Sequence, residues 1–252
     1  MNQRIVILVA TRMEIAPFLE HCGIIQETFS PVGRAIIELS VAGQQATVVI
    51  TGPGVVNTAQ ALTGAMEAFK PTLVIQTGIA GVFDQAGLEP GDVGVADSET
   101  YVPTGVENPL STHRFFPLPF DLVDGQPESR QGKFSVNQEL ASHGLEILKQ
   151  GFSKTELTIV KAGFITVSTV TASDTTANRL YATFQPCMES MEGAASAQVA
   201  TLYNVDFMEI RAGSNRVGNR DKQLWQIDLA TQRASRALYL FLKDCTLHPV
   251  PV

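Results

Sequence analysis

Two short stretches in the C-terminal half of the chain carry side chains that could bind a polyhydroxylated small molecule. The first, MESMEGAA at 188–195, places two carboxylates before a run of small residues. The second, EIRAGSN at 209–215, reads as a strand that ends in hydroxyl and amide side chains. Carboxylates accept hydrogen bonds from paired sugar hydroxyls and stabilise positive charge that develops nearby. This order of groups indicates an α/β enzyme that binds a small polar molecule.

Glu14 is a further candidate because it follows the predicted end of a buried strand. Residues 4–10 form a continuous apolar run between polar neighbours, as a central strand requires. Ligands of open α/β sheets bind at the carboxyl ends of the strands. Alternatively, Glu14 only opens a helix, where a carboxylate interacts favourably with the helix dipole. The residues alone leave both interpretations open.

Three other predicted strand ends carry glycines or small polar residues. Their sequences are TGPGVVN at 51–57, TGIAG at 77–81 and STVTAS at 168–173. Backbone N–H groups in such loops can hold a water, a hydroxyl or an anion, although tight turns alone also favour glycine. The first loop is similar to a dinucleotide fingerprint, but its third glycine is missing and Pro53 interrupts it. We therefore predict no dinucleotide site and no cofactor.

Composition excludes several classes of protein. The 252 residues are 44% hydrophobic and 17% charged, enough for a sizeable core. The net charge is -7 and Lys and Arg form no block, so nucleic-acid binding is not expected. The three cysteines lie far apart without ligand spacing and predict neither a disulfide framework nor a metal site. The apolar N-terminal run is too short to span a membrane, which favours a cytoplasmic protein.

The alternation of strand and helix patterns predicts one α/β domain over residues 1–252. Strands are predicted at 35–41, 45–50, 73–76, 93–101, 157–167 and 205–211. Helices are predicted at 137–150, at 175–181, from about 190 to 203, in a segment ending at 69, and near the C-terminus. Residues 103–132 contain repeated prolines, which exclude a long helix. Such an insertion is usually a lid, an oligomer contact or a disordered segment, and His113 and Arg114 within it are candidate ligand contacts.

The ordered set of motifs resembles the nucleoside phosphorylase and nucleosidase superfamily. The set comprises TGPGVVN at 51–57, TGIAG at 77–81, PGDV at 90–93, MEGAA at 191–195 and RAGSN at 211–215. Each motif is weak by itself, but together they cover most of the chain from Glu14 to the last helix. The resemblance implies a central mixed, twisted and partly barrel-like sheet flanked by helices. It also implies a homo-oligomer that acts on a nucleoside.

The resemblance further implies roles in the cleavage of an N-glycosidic bond, which passes through an oxocarbenium-like sugar and a departing base. Glu192 would hold the 2′- and 3′-hydroxyls, Glu14 would hold the attacking water, and Asn215 would act on the base. Residues implied to contact the substrate are Gly78, Ile79, Ala80, Thr171, Ala172, Met191 and Ser214. Glu189 is expected to be scaffold, with a solvated charge.

Asn215 bears on the choice of base, because methylthioadenosine/S-adenosylhomocysteine nucleosidases have Asp at the matching position. A protonated carboxyl group matches the amino donor and N7 acceptor of a 6-aminopurine, whereas an amide NH2 matches the two acceptors of a 6-oxopurine. A carboxylate facing that acceptor pair would cost about 1–3 kcal/mol. Alternatively, Asn215 is only a turn residue. Because an amide does not readily deliver a proton, Asp221 is a candidate for a proton relay.

Residues 214–221 and 225–227, together with VSTVTAS at 167–173, most resemble the futalosine hydrolases. That family releases hypoxanthine and dehypoxanthine futalosine from futalosine in menaquinone biosynthesis. Arg114 and Arg216 are candidates for binding the distal carboxylate of such a substrate. An adenine-specific nucleosidase (methylthioadenosine/S-adenosylhomocysteine or aminodeoxyfutalosine), a purine nucleoside phosphorylase and a non-catalytic nucleoside-binding protein stay open. A phosphorylase needs cations for phosphate; residues 77–81 supply none, and Arg34 is the remaining candidate.

Overall fold

The structure, a computed structural model, describes residues 4–109, 115–153, 157–218 and 220–245. Its strands are β1 Ile5–Val9, β2 Gly23–Phe29, β3 Ala35–Val41, β4 Gln44–Ile50, β5 Leu73–Val82, β6 Val93–Tyr101, β7 Lys133–Ser135, β8 Ile159–Thr166, β9 Met188–Ser190 and β10 Asp206–Arg216. Its α-helices are α1 Arg12–Leu19, α2 Val55–Phe69, α3 Gln138–Gly151, α4 Asp174–Phe184, α5 Gly193–Leu202 and α6 Ile227–Cys245.

The strands form one mixed sheet, part of which closes on itself. Strands β10, β6, β8, β9 and β5 follow one another, and β10 also pairs with β5, so these five complete a ring. The sheet continues from β5 through β1, β4 and β3 to β2, while β7 pairs with β6. Closure removes the free edges of the ring. Within the described residues, this is an α/β domain with a closed mixed sheet flanked by six helices, which confirms the fold class expected from the resemblance.

Helices pack on this sheet through continuous apolar surfaces. Helix α6 contacts α1 and α3 as well as β10 and β5. Helix α5 packs against α2, and its small residues let it lie close to β10 and β6. Strand β1 is buried and apolar along its whole length, and β5 begins with the buried apolar residues 73–75, as strands covered on both faces require. One core cluster therefore joins the sheet to its helices.

Most sequence predictions agree with the structure in type, while some bounds differ. The hairpin turn is confirmed, because Ala42 and Gly43 both have positive φ between β3 and β4. Strand β5 continues through the predicted 77–81 loop, so its glycines lie in a strand. The prediction of a helix from about residue 190 is wrong at its start, because residues 188–190 form β9, between β8 and β5. Strand β2 was not predicted.

The proline-rich insertion is irregular, as its prolines indicate. It contains an isolated bridge between Val106 and Phe116 and a short turn of 3-10 helix at Pro127–Gln131. Phe115, Phe116 and Phe120 are exposed. His113 and Arg114 lie outside the described residues. Within the described part of the chain, none of the helices combines the length and apolarity that crossing a bilayer requires.

Candidate active site

Glu192 lies between β9 and α5, where it occupies the N-cap position of the helix. Its side chain is buried, and both of its oxygens accept hydrogen bonds. Oε1 accepts from the Gly54 N–H at 3.0 Å, while Oε2 accepts from the Met191 N–H at 3.3 Å and from Arg211 Nη2 at 3.1 Å. Gly52 and Gly54 have positive φ, so the glycine loop can turn toward this carboxylate. The close approach predicted for this loop is thus made to Glu192.

Arg211 on β10 connects the acidic side chains of the site. It is 1% exposed and uses three nitrogens: Nε donates to Glu209 at 2.6 Å, Nη1 to the Ile79 carbonyl at 3.0 Å, and Nη2 to Glu192. Burial alone would lower the pKa of Arg211, but the carboxylates of Glu209 and Glu192 outweigh it and raise the pKa. Arg211 had no predicted role. An arginine inside an apolar strand pattern was the available signal, because buried cations require partners.

Glu14 opens helix α1, as one of the two alternatives predicted, and its side chain also reaches strand β5. Its Oε2 accepts from the Thr11 backbone and hydroxyl in a capping box, and its Oε1 accepts from the Ile79 N–H at 3.1 Å. A Cβ on Gly78 would lie only 2.7 Å from Glu14 Oε1, so this approach requires glycine. Burial raises the pKa of Glu14, against the lowering effect of the hydrogen bonds from Ile79 and Thr11. The helix-opening residue therefore also reaches the β5 segment.

Ile79 joins these groups into one cluster. Its N–H contacts Glu14 and its carbonyl oxygen contacts Arg211, which in turn contacts Glu192. Met191 adds its N–H to Glu192. Of the predicted site residues, the structure thus brings Glu14, Glu192, Gly78, Ile79 and Met191 together around Arg211.

Ser214 and Asn215 lie further along β10, next to the same part of β5. Ser214 Oγ is 3.1 Å from the Ala80 carbonyl and 2.8 Å from Asn215 Oδ1, and Asn215 Nδ2 donates to the Arg216 carbonyl at 2.9 Å. The pairing shifts between Gly213 and Asn215, which makes Ser214 the extra residue of a β-bulge. The half-exposed Asn215 amide therefore has fixed neighbours on both sides.

Thr171 and Ala172 follow β8, and Glu189 anchors Thr171. Glu189 Oε1 accepts from the Thr171 N–H at 3.0 Å and Oε2 accepts from its hydroxyl at 2.5 Å. The expectation of a solvated Glu189 is wrong, because the residue is 6% exposed and lies on β9, paired with Gly81. Burial raises the pKa of Glu189, and the hydrogen bonds from Thr171 reduce that rise. Its scaffold role is nevertheless consistent with these contacts.

A cavity of about 430 Å³ adjoins the Asn215 end of the site. Its lining includes Asp174, Arg216, Val217, Asp221 and Trp225. Trp225 stacks beneath Arg220, with 4.8 Å between the guanidinium carbon and the ring centroid. Asp221, the candidate for a proton relay, accepts from the Gln223 N–H and caps the short turn before the last helix.

The chain is similar in sequence to known proteins. The model of the Phosphorylase superfamily matches residues 4–246. A futalosine hydrolase from Acidothermus cellulolyticus is 34% identical over 167 residues, which are 66% of this chain and 62% of that protein. A 5′-methylthioadenosine/S-adenosylhomocysteine nucleosidase from Listeria welshimeri is 32% identical over 178 residues, 69% of this chain and 70% of that protein.

Solved structures share the fold. The native structure of futalosine hydrolase of Helicobacter pylori matches with a TM-score of 0.80 at 20% identity and covers 96% of this chain and 98% of that one. An identity this low shows the fold alone. The sequence relatives support nucleosidase activity on an N-glycosidic bond, and their names cover two substrate classes.

Proposed function

Because the chain belongs to the Phosphorylase superfamily, we propose that it hydrolyses the N-glycosidic bond of futalosine, releasing hypoxanthine and dehypoxanthine futalosine. The proposed reaction belongs to menaquinone biosynthesis. The orientation of the Asn215 amide carries the choice of substrate. The futalosine hydrolase from Acidothermus cellulolyticus supports the same choice. We also propose that the enzyme acts as a homo-oligomer and that its partner is this small nucleoside rather than a nucleic acid or a membrane.

Glu192 would bind the ribose 2′- and 3′-hydroxyls. Two backbone N–H groups and Arg211 already orient its carboxylate. A buried, preorganised carboxylate stabilises positive charge on the sugar in the transition state and does not need to reorganise. Met191, whose N–H holds Glu192, would lie beside the sugar.

Glu14 would hold the attacking water and accept its proton. Its two oxygens are oriented by Thr11 and Ile79. Because burial raises the pKa of Glu14, the carboxylate is a stronger base than an exposed glutamate. The Ile79 segment links Glu14 to the Arg211–Glu192 pair, which keeps the water and the ribose in a fixed relation.

Asn215 would donate a hydrogen bond to the base. In the observed orientation its oxygen lies by the Ser214 hydroxyl, and one N–H is used by the Arg216 carbonyl. The reverse orientation would set the amide oxygen against that carbonyl, two acceptors with no proton between them. The second N–H of the amide is therefore available for N7 or O6 of a 6-oxopurine. Ser214 and Ala80 would frame the base, with Thr171 and Ala172 opposite.

An adenine-specific nucleosidase is the second candidate, since the relative from Listeria welshimeri is named for that activity. In that case the Asn215 NH2 group would face the C6 amino group of adenine, and both groups are hydrogen-bond donors. A phosphorylase is disfavoured because Arg211 is engaged by Glu209, Glu192 and the Ile79 carbonyl. Arg34 lies beside the glycine loop, where it is held by Gln60 and Asn57.

Product analysis tests the proposal. Purified enzyme is incubated with futalosine or with methylthioadenosine, each with and without inorganic phosphate, and the products are separated by chromatography. We expect hypoxanthine from futalosine at a rate independent of phosphate. Faster release of adenine from methylthioadenosine would overturn the choice of base, and a phosphate requirement with formation of a sugar 1-phosphate would overturn hydrolysis.

A matched pair of variants tests Asn215 itself. Asn215→Asp should shift the ratio of futalosine to methylthioadenosine cleavage toward adenine by about 5–150-fold, the equivalent of about 1–3 kcal/mol for mispaired buried groups. Asn178→Asp makes the same chemical change at an exposed position on α4 and should leave the ratio unchanged. An unchanged ratio in Asn215→Asp would contradict the role of this amide.

A further inference from the structure

Two fully buried carboxyl groups lie behind Arg211, and neither has a predicted role. Glu209 on β10 and Glu99 on β6 are each 0% exposed. Glu209 Oε1 accepts from Arg211 Nε, and Glu99 Oε2 accepts from the Thr166 hydroxyl at 2.8 Å. The Thr166 oxygen in turn accepts from the Ala194 N–H at the start of α5. Hydrogen bonds therefore connect α5 to Glu99 on one side and Arg211 to Glu209 on the other. The only gap between α5 and Arg211 lies between the two carboxyl groups.

The two remaining oxygens, Glu99 Oε1 and Glu209 Oε2, face each other. Apart from each other, they have no hydrogen-bond partner among the described residues. A Cβ on Gly193 would overlap both of these atoms, so they converge beneath the first residue of α5. Two ionised carboxylates could not share this buried position, because the repulsion between their negative charges adds to the free-energy cost of burying each charge. A single proton between the oxygens satisfies both of them.

We propose that Glu99 and Glu209 share one proton, and that this pair is a positioning device that holds Arg211, and through it Glu192, for N-glycosidic hydrolysis. The proton resides on Glu99 Oε1 and is donated to Glu209 Oε2, so the pair carries one negative charge. That charge lies on the member that contacts Arg211. Glu99 and Glu209 are positioning residues, because Glu192 is the group that would contact the substrate. The inference uses the proposed role of Glu192 but does not depend on which base is released.

The charges around the pair favour this assignment. Burial and the negative charge of Glu209 raise the pKa of Glu99 well above its usual range. Burial also raises the pKa of Glu209, but its ion pair with Arg211 opposes that rise, so Glu99 keeps the proton. Glu192 faces Glu209 from the site and adds negative charge. On the other side lies Cys187, and burial raises the pKa of its thiol, so it stays neutral.

Three variants separate positioning from simple support of the core. Glu99→Gln retains a donor toward Glu209 and an acceptor for Thr166, and thus mimics the protonated residue. Glu99→Leu has a similar volume but removes the donor. Glu209→Gln takes the charge away from Arg211. Each protein is checked by circular dichroism, and kcat and KM are measured across pH with whichever nucleoside the parent enzyme cleaves.

We expect Glu99→Leu and Glu209→Gln to lower kcat by about 100-fold, the scale of a misplaced catalytic group, and Glu99→Gln to restore most of the loss seen in Glu99→Leu. The parent should lose activity at alkaline pH as the shared proton dissociates, and Glu99→Gln should lack this loss. Folded Glu99→Gln enzyme that is as inactive as Glu209→Gln would overturn the proposal. So would an alkaline limb that is the same in Glu99→Gln and the parent.

Infrared spectroscopy gives a readout that does not depend on substrate. The parent at neutral pH should show the C=O stretch of a neutral carboxylic acid in the protein interior, and this band should disappear in Glu99→Gln. A band that persists unchanged would refute the shared proton. Failure of the futalosine assay alone would affect only the proposed substrate, because the band and the order of the variants do not involve the base.

Discussion

Replacement of Arg211 by methionine would test whether the buried site depends on this one cation. The guanidinium lies 2.6 Å from Glu209 and 3.1 Å from Glu192, and all three side chains are at most 5% exposed. Methionine fills a comparable volume without the charge, so little of the effect would come from a cavity. The variant would leave two carboxylates buried without their common partner.

The size of the effect follows from the cost of breaking a buried ion pair by removing one member, about 3–5 kcal/mol. Uptake of protons by the stranded carboxylates relieves part of this cost, so we expect about 3 kcal/mol. For a chain of this size that corresponds to a fall in Tm of roughly 6–12 °C. Arg216 provides the matched control, because it also pairs with two carboxylates, Asp84 and Glu89, but all three side chains are more than half exposed. Arg216→Met should cost less than about 1 kcal/mol.

The assay is urea unfolding followed by circular dichroism near neutral pH. All proteins are compared at one concentration, because an oligomer is more stable when it is concentrated. A free energy of unfolding for Arg211→Met within about 1 kcal/mol of the parent, the range expected of an exposed pair, would show that the buried site does not depend on this cation. A loss of stability no larger than that of Arg216→Met would show the same.

Three further predictions concern neighbouring positions. Gly193→Ala should cost about 1–3 kcal/mol in urea unfolding, because its methyl group would overlap the buried carboxyl pair; parent-like stability would contradict the packing described. Glu14→Gln and Glu192→Gln should each lower kcat strongly while the circular dichroism spectrum stays unchanged, and turnover retained in both would refute their roles. Burial raises the pKa of Glu189, so the protonated carboxyl group contributes to the stability of the folded protein. This contribution is complete below about pH 4.5 and is lost as the pH rises through the folded-state pKa. Relative to the parent, Glu189→Gln should therefore gain stability above that pH, by up to about 1.4 kcal/mol per pH unit, in unfolding experiments across pH.

The outline of the fold could be predicted because it rests on local pattern. Helix α2 ends at Phe69 and β6 runs from Val93 to Tyr101, as the spacing of apolar residues predicts. Strand β9 at residues 188–190 could not be predicted, for a physical reason. A three-residue strand is too short to display a period, and its strand conformation comes from pairing with β5 and β8. Such pairing depends on tertiary structure and is not encoded locally.

Part of the site could be predicted, because the type of a side chain and its place in the pattern identify some residues as candidates. Glu14 stood out as an acid after a predicted strand end and Glu192 as an acid before a run of small residues, and the structure places both around Ile79 and Arg211. Glu99 did not stand out, because Ser98-Glu99-Thr100 reads as an ordinary polar stretch of a strand. Its meaning depends on Glu209, which lies more than 100 residues later on β10, the antiparallel neighbour of β6. Charge pairing across a closed sheet is a property of register, which sequence spacing cannot show.

That register also links the groups proposed for catalysis to the group proposed to recognise the base. Strand β10 runs parallel to β5 with Arg211 opposite Gly78 and Gly213 opposite Ala80. In a regular ladder, Gly81 would next pair with Ser214, and Asn215 would pair with Val82 on the same face as Arg211, because side chains alternate. The bulge at Ser214 moves Asn215 into register with Gly81 instead. One extra residue thus sets the position of Asn215, the proposed contact of the base, while the preceding pairs of the same two strands hold Arg211 beside Glu192. Ser214→Ala should therefore weaken base selection, because it removes the hydroxyl that contacts the Asn215 oxygen, while the pairing from Glu209 to Gly213 persists.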